Sequence, residues 1–207
     1  MARTRKEPAI SAKRGDIVRA ATQLFSRHGF RKTSIDLIAT EAQVAKPTVY
    51  AHFEDKDALF AAVCREVTDR VLRDAEDART ASRHAVDRIA GMLSAKFTTV
   101  FELVESSPHA RELLDSRNEE ARAIVDAADG RFFDLLCGEL RRAVKAGELA
   151  LAAIGVKPPE LARLLMQAAH GAGYGATSAD EHRTNVRRLV ALALAGAARH
   201  GGAGRRA

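Results

Sequence analysis

Apolar positions recur at spacings of three and four along most of the chain, and that period predicts helices. Ile17, Ala20, Ala21, Leu24 and Phe25 mark a one-sided helix that the His28-Gly29 pair closes. Thr33 and Ser34 supply caps for a short second helix carrying Ile35, Leu37, Ile38 and Ala42. A third short helix is predicted over Lys46 to Phe53, and a longer one opens near Asp57 and runs through Leu59, Phe60, Val63, Val67 and Val71. No stretch alternates with period two for long enough to be a strand.

Beyond residue 80 the same period continues in longer segments. One covers Ala85 to Glu105, with Ile89, Leu93, Phe97, Val100, Phe101 and Val104, and stops at Ser106-Ser107-Pro108. A short piece from His109 to Asp115 precedes a long helix from Glu119 to Ala146, which Gly147 ends as a C-cap. After the break at residues 155–159, two more helices are predicted, from Glu160 to Ala176 and from Ala179 to Arg199. The fold class is therefore all-α, with about nine helices. The predicted division is a flexible basic arm (1–15), a three-helix module (16–60), a helical domain (61–200) and a disordered Gly/Arg-rich tail (201–207).

Charge changes the picture at one end. Of the net +6, residues 1–60 carry 11 Lys/Arg against 7 Asp/Glu, and Arg3, Arg5, Lys6, Lys13 and Arg14 are opposed in the arm only by Glu7. Such an arm attracts polyanions, nucleic acid foremost, or else is a solvated tail. Charges interrupt every apolar run before it reaches the ~20 residues that cross a bilayer, and the N-terminus lacks the apolar core of a secretory signal, so a cytoplasmic protein is expected. Cys64 and Cys137, far apart, suggest buried inert thiols rather than a disulfide or a metal site, and no cofactor is implied.

Three short helices and tight turns within Ile17 to Phe60 are the mark of a helix-turn-helix. In the third, Val49 and Phe53 stand four apart and face inward, leaving Lys46, Thr48, Tyr50, Ala51 and His52 outside with no carboxylate before Glu54. Hydroxyl, aromatic and cationic groups on one exposed face suit DNA better than plain solvent. Thr48, Ala51 and His52 are placed to meet base edges, Ala51 through a thymine methyl. Tyr50, Lys56 and the Thr33 hydroxyl are placed to hold the phosphate backbone, as are the free N–H groups at helix starts near Ser34, Lys46 and Pro47. Lys46 opposes its helix dipole, a cost that phosphates would offset.

These residues resemble the N-terminal domain of TetR-family regulators. The family pattern is matched by Ala20-Ala21, Leu24-Phe25, Gly29-Phe30, Thr33-Ser34, Ile38-Ala39, Ala42-Gln43-Val44, Thr48-Val49-Tyr50-Ala51-His52-Phe53 and Lys56-Asp57-Ala58-Leu59-Phe60. Two departures stand out: Gln43 occupies the turn where the family usually has Gly, and Ala45 the cap where it often has Ser. A left-handed Gln costs ~1 kcal/mol or more, and a missing cap acceptor costs ~1 kcal/mol. Pro47 in the first turn offsets part of this by fixing φ.

The resemblance implies that the rest forms an antiparallel helical domain with a small-molecule pocket, and that its last two long helices pair in a homodimer. The small residues of 168–176 and 191–198 agree with close helix pairing, although Gly171 to Gly175 also reads as a loop. Met92, Phe97, Phe101, Phe132, Phe133, Met166, His170 and Tyr174 are candidate pocket residues for a lipophilic effector, or else ordinary core. The expected partners are a near-palindromic double-stranded DNA operator, an effector and a second copy, with no membrane. The expected activity is ligand-responsive repression rather than catalysis. The alternatives are an architectural DNA-binding dimer without effector and an all-helical enzyme, although Gly-x-Ser-x-Gly, His-Glu-x-x-His, P-loop and Cys-x-x-Cys motifs are all missing.

Overall fold

A computed structural model of the chain describes residues 7–105 and 118–198, with side chains over 12–102 and 118–198. The short piece expected from His109 to Asp115, its stop signal at 106–108 and the tail at 201–207 lie outside the described residues. The helices are α1 (Glu7–His28), α2 (Ile35–Glu41), α3 (Lys46–His52), α4 (Lys56–Thr80), α5 (Ala85–Glu105), α6 (Glu119–Lys145), α7 (Pro158–Gly171) and α8 (Ala179–Leu194), with a 3-10 turn at Leu151–Ile154. Among the described residues the β structure is an isolated antiparallel bridge between Leu149 and Ala198. The fold is all-helical, as the periodicity predicts.

Three boundaries differ from the pattern reading by five residues or more, while Phe53 lies just past α3 as its C-cap and α7 opens at Pro158 rather than Glu160. Helix α1 opens at Glu7, so residues 7–15 are helical rather than part of a flexible arm. Pro8 is tolerated in a first turn, and the following Ala, Lys and Arg residues favour helix. Helix α7 ends at Gly171 instead of 176, because Gly171 to Gly175 form turns and Gly175 takes φ 79°. Helix α8 stops at Leu194 rather than running to 199.

The chain divides into two compact units, Met1–Asp69 with Leu103–Ala127 and Arg70–Glu102 with Ala128–Ala207. In the first, Ile17, Ala21, Leu24 and Phe25 of α1 meet Ile38 and Ala39 of α2, Val49 of α3 and Leu59 and Phe60 of α4 in one buried cluster. Phe25, Phe30 and Phe60 pack as a triangle of rings with centroids 5.1–5.8 Å apart. Asp55 Oδ1 accepts the Ala58 N–H at 2.7 Å and so caps the start of α4.

The link from α2 to α3 is a Schellman turn. Gln43 N–H donates to Thr40 O at 3.1 Å and Val44 N–H to Ala39 O at 2.9 Å, with Gln43 left-handed at φ 53°. Val44 then folds against the cluster containing Ala39. Two hydrogen bonds and one apolar contact hold a non-Gly residue where its Cβ is crowded.

In the second unit, Ile89, Met92 and Leu93 of α5, Phe132, Leu136 and Leu140 of α6, Leu165 of α7 and Val186 and Val190 of α8 form the core. A charge network is buried in it. Arg88 Nε donates to Glu139 at 2.7 Å, Nη2 to both oxygens of Glu148 at 2.9 Å and Nη1 to the Ser82 and Arg83 carbonyls. Arg142 adds two bonds to Glu139, which is wholly buried. Each nitrogen of a desolvated guanidinium is satisfied, which such burial demands.

His182 is also buried, stacked on Phe101 at 5.1 Å, with Nδ1 3.2 Å from the Thr98 hydroxyl. A Cβ on Gly173 would come within 3.1 Å of this ring, so the glycine permits the close approach. Burial pushes the imidazole below its usual 6.5, and a hydrogen bond with the Ala169 backbone pushes partly back.

Three outcomes follow. Gln43→Gly removes the left-handed strain and raises stability by about 1 kcal/mol, measured by urea unfolding. Glu139→Ala leaves the buried Arg88 Nε without its acceptor and only Glu148 to balance the charge, and costs about 3 kcal/mol in the same assay. For His182, the folded pKa lies below the unfolded one. Its contribution is therefore full above pH 6.5 and lost as pH falls through the folded value. The wild-type melting temperature should drop between about pH 7 and about pH 5 more steeply than that of His182→Gln.

Candidate nucleic-acid interface

Helix α3 owes its orientation to two buried side chains one turn apart. Val49 has no exposed surface and Phe53 only 5%, so the opposite face of the seven-residue helix is turned outward. Lys46, Pro47, Tyr50 and Ala51 are exposed, Tyr50 at 49%, while Thr48 and His52 are half-buried along the flanks. The N-cap Ala45 gives no side-chain hydrogen bond, and Pro47 sits in the first turn. The first-turn N–H groups of α3 therefore have no side-chain acceptor from the cap, and an anion would suit them.

Ser34 is the N-cap of α2, its Oγ accepting the Leu37 N–H at 3.1 Å. The residue is exposed, as phosphate contact would require. Lys46 Nζ meets Asp36 Oδ2 at 2.9 Å, joining the start of α3 to the first turn of α2. The hydrogen bond to Asp36 and then its charge raise the lysine pKa above the usual value. The dipole cost of Lys46 is thus offset within the protein, by a carboxylate that the residue pattern did not single out.

Two expected phosphate contacts are corrected. Thr33 is 1% exposed, and its hydroxyl donates to Gly29 O at 2.8 Å, with Leu24 O at 3.3 Å. It closes the α1–α2 loop from inside. Lys56 Nζ donates to Phe30 O at 3.0 Å and Thr33 O at 3.2 Å, and lies 4.4 Å from the Phe30 ring centre. An ammonium held by two carbonyls and an aromatic face is a staple for that loop, not a free cation. Arg14, counted with the arm, lies on α1 with its guanidinium 5.1 Å from the Phe53 ring, beside the end of α3.

Of the candidate pocket residues, Met92, Phe97 and Phe132 belong to the core cluster of the second unit, and Phe133 and Met166 pack against it. Met92 and Phe132 are fully buried and Phe97 nearly so, Phe101, Phe133 and Met166 are partly buried, and His170 is exposed with its ring edge-on to Phe97 at 6.1 Å. Tyr174 is 94% exposed, since α7 ends before it and its turn carries it into solvent. Among the described residues, Ser82, Val86, Asp87, Ala90, Arg187, Arg188 and Ala191 line an open cleft of about 430 Å³. His182 and Thr98 are a buried polar pair that the pattern reading missed, as are Arg88 and Glu139. The signal for His182 was there, because it continues the four-residue stripe of Val186, Val190 and Leu194. Burial pushes the Cys64 thiol up to about 11, which makes it a poor nucleophile.

Residues 17–63 match the family model of bacterial regulatory proteins, tetR family. The HTH-type transcriptional regulator RutR of Escherichia coli K12 is 38% identical over 65 residues, 31% of each chain. HbdR of Aromatoleum sp. strain CIB, also an HTH-type transcriptional regulator, is 25% identical over 138 residues, 67% of this chain and 60% of that one. The chain thus spans about a third of RutR and under two thirds of HbdR. Among solved structures, a Saccharomonospora viridis protein crystallised with choline superposes with a TM-score of 0.73 at 19% identity, covering 92% of this chain and all of that one. SmeT, the repressor of the Stenotrophomonas maltophilia multidrug efflux pump SmeDEF, gives 0.63 at 24% identity over 91% of both chains. Residues 17–63 thus carry the helix-turn-helix of the tetR family of bacterial regulatory proteins, and the chain shares the all-helical fold of these solved structures.

Proposed function

We propose that the chain is a DNA-binding transcriptional regulator, working as a homodimer that reads a near-palindromic operator with α3 and is released by a small, lipophilic effector. The observation that carries DNA reading is the exposed face of α3. Lys46, Pro47, Tyr50 and Ala51 stand out from a helix pinned by Val49 and Phe53, with Thr48 and His52 at its edges and Ser34 close by in sequence at the start of α2. Side chains of this chemistry on a short helix suit the major groove, and one such helix spans too few base pairs for specificity. Two copies related by a two-fold axis read half-sites about one helical turn, ~34–36 Å, apart.

Pairing through α7 and α8 is supported by Leu164 and Leu192, which expose 50% and 78% of their surface on those helices. Effector response is supported by the Ser94 hydroxyl, which is buried in α5 without a partner one turn before Thr98. A ligand's polar group would relieve that cost, and a ligand favouring wrongly spaced heads would release DNA. The dense burial of Met92 and Phe132 favours a second reading, an architectural dimer without effector. Release of DNA by a ligand separates the two.

The test is fluorescence anisotropy on duplex DNA across a salt series. Tyr50→Phe and Ser34→Ala should weaken binding to all sequences by roughly three- to tenfold each, as expected of phosphate contacts. Thr48→Ala or His52→Ala should change which sequence is preferred, by roughly 5- to 100-fold at the affected base pair. Unchanged affinity and unchanged preference in all four variants would contradict the assignment.

A further inference from the structure

Resting on the DNA-binding reading above, we propose that Asp36 is an electrostatic brake on this interface, holding the Lys46 ammonium at the mouth of α3 so that DNA must take the lysine from a carboxylate rather than from water.

The pair is built by the two helix starts. Asp36 lies in the first turn of α2, where a carboxylate is favoured by the partial positive charge of the helix end. Lys46 opens α3, whose first turn holds no acidic residue, so the same effect disfavours its ammonium there. The turn through Gln43 brings the two starts together, and the charges meet at 2.9 Å across ten residues of chain. The hydrogen bond then satisfies a lysine that α3 alone leaves in an unfavourable place.

Exposure makes the pair breakable. The two side chains retain 48% and 67% of their surface, and ion pairs this open contribute little because water and salt screen them. A phosphate offered by a duplex can therefore displace Asp36. Displacement forfeits the Asp36–Lys46 hydrogen bond, which costs affinity on every sequence alike. The exchange also yields less counterion release than a free lysine would, because a neutralised lysine has less charge to contribute. Asp36 thereby lowers affinity for operator and bulk DNA alike, and the ratio between them stays set by the base contacts of Thr48, Ala51 and His52.

The experiment measures affinity for a labelled mixed-sequence duplex, long enough for two half-sites, against salt concentration. It uses the wild-type chain, Asp36→Asn, Lys46→Gln and the double variant. Asp36→Asn keeps the side-chain shape at an exposed position, and melting curves check that each variant is folded. It should bind roughly three- to tenfold tighter, with the log–log salt slope steeper by up to ~0.9. In the Lys46→Gln background most of that gain should vanish. An Asp36→Asn protein that binds no tighter at the wild-type slope overturns the brake. So does a gain that survives undiminished without Lys46, since the carboxylate then acts by direct repulsion of phosphate. Wild-type protein that ignores duplex DNA even in dilute buffer fails the DNA reading itself. A wild-type protein that binds while Asp36→Asn changes nothing fails the brake alone.

Discussion

The burial of Val49 and Phe53 in the first unit is the contact on which the functional face depends. Each removes a large apolar side chain from water, an effect of about 2 kcal/mol apiece. On a seven-residue helix these two leave little freedom to roll. Once the inner edge is decided, helical geometry turns Lys46, Pro47, Tyr50 and Ala51 outward. An isolated helix of this length would not persist in water, so the tertiary anchor also accounts for its existence.

What surrounds α3 serves that anchor. The Schellman turn at Gln43 sets the angle between α2 and α3, and it does so with a residue that would be cheaper as glycine. Thr33 and Lys56 close the loop between α1 and α2 from two sides, tying the carbonyls of Leu24, Gly29, Phe30 and Thr33. The Phe25, Phe30 and Phe60 rings fill the space beneath. In the second unit the demand is different: Arg88, Glu139, Glu148 and Arg142 spend charge on holding α5 to α6 and the segment after it, at positions where apolar packing would also serve.

Much of this was legible in the residues. The 3.6 period located the helices from α1 to α8, and the caps at Ser34 and Gly147 marked their ends because those residues act locally. The strain at Gln43 and the missing cap at Ala45 were readable only through the resemblance, because the family pattern has Gly and often Ser at those places. Thr33 and Lys56 were misread because a hydroxyl or an ammonium serves a buried carbonyl as well as a phosphate, and only the fold says which is near. The Asp36–Lys46 pair was hidden likewise, since a ten-residue separation carries no pairing signal until the turn is built. Tyr174 was lost with the end of α7, where a run of glycines suits either close packing or a turn.

The central claim is that the outward face of α3 reads a two-fold DNA sequence. Selection of bound duplexes from a random pool by the intact chain tests it most directly. The account predicts enrichment of one near-palindrome, with two half-sites spaced by about a helical turn or a multiple of it, and loss of that consensus when Thr48 and His52 are both replaced by Ala. A pool that emerges without any shared sequence, or a consensus indifferent to those two residues, would contradict it.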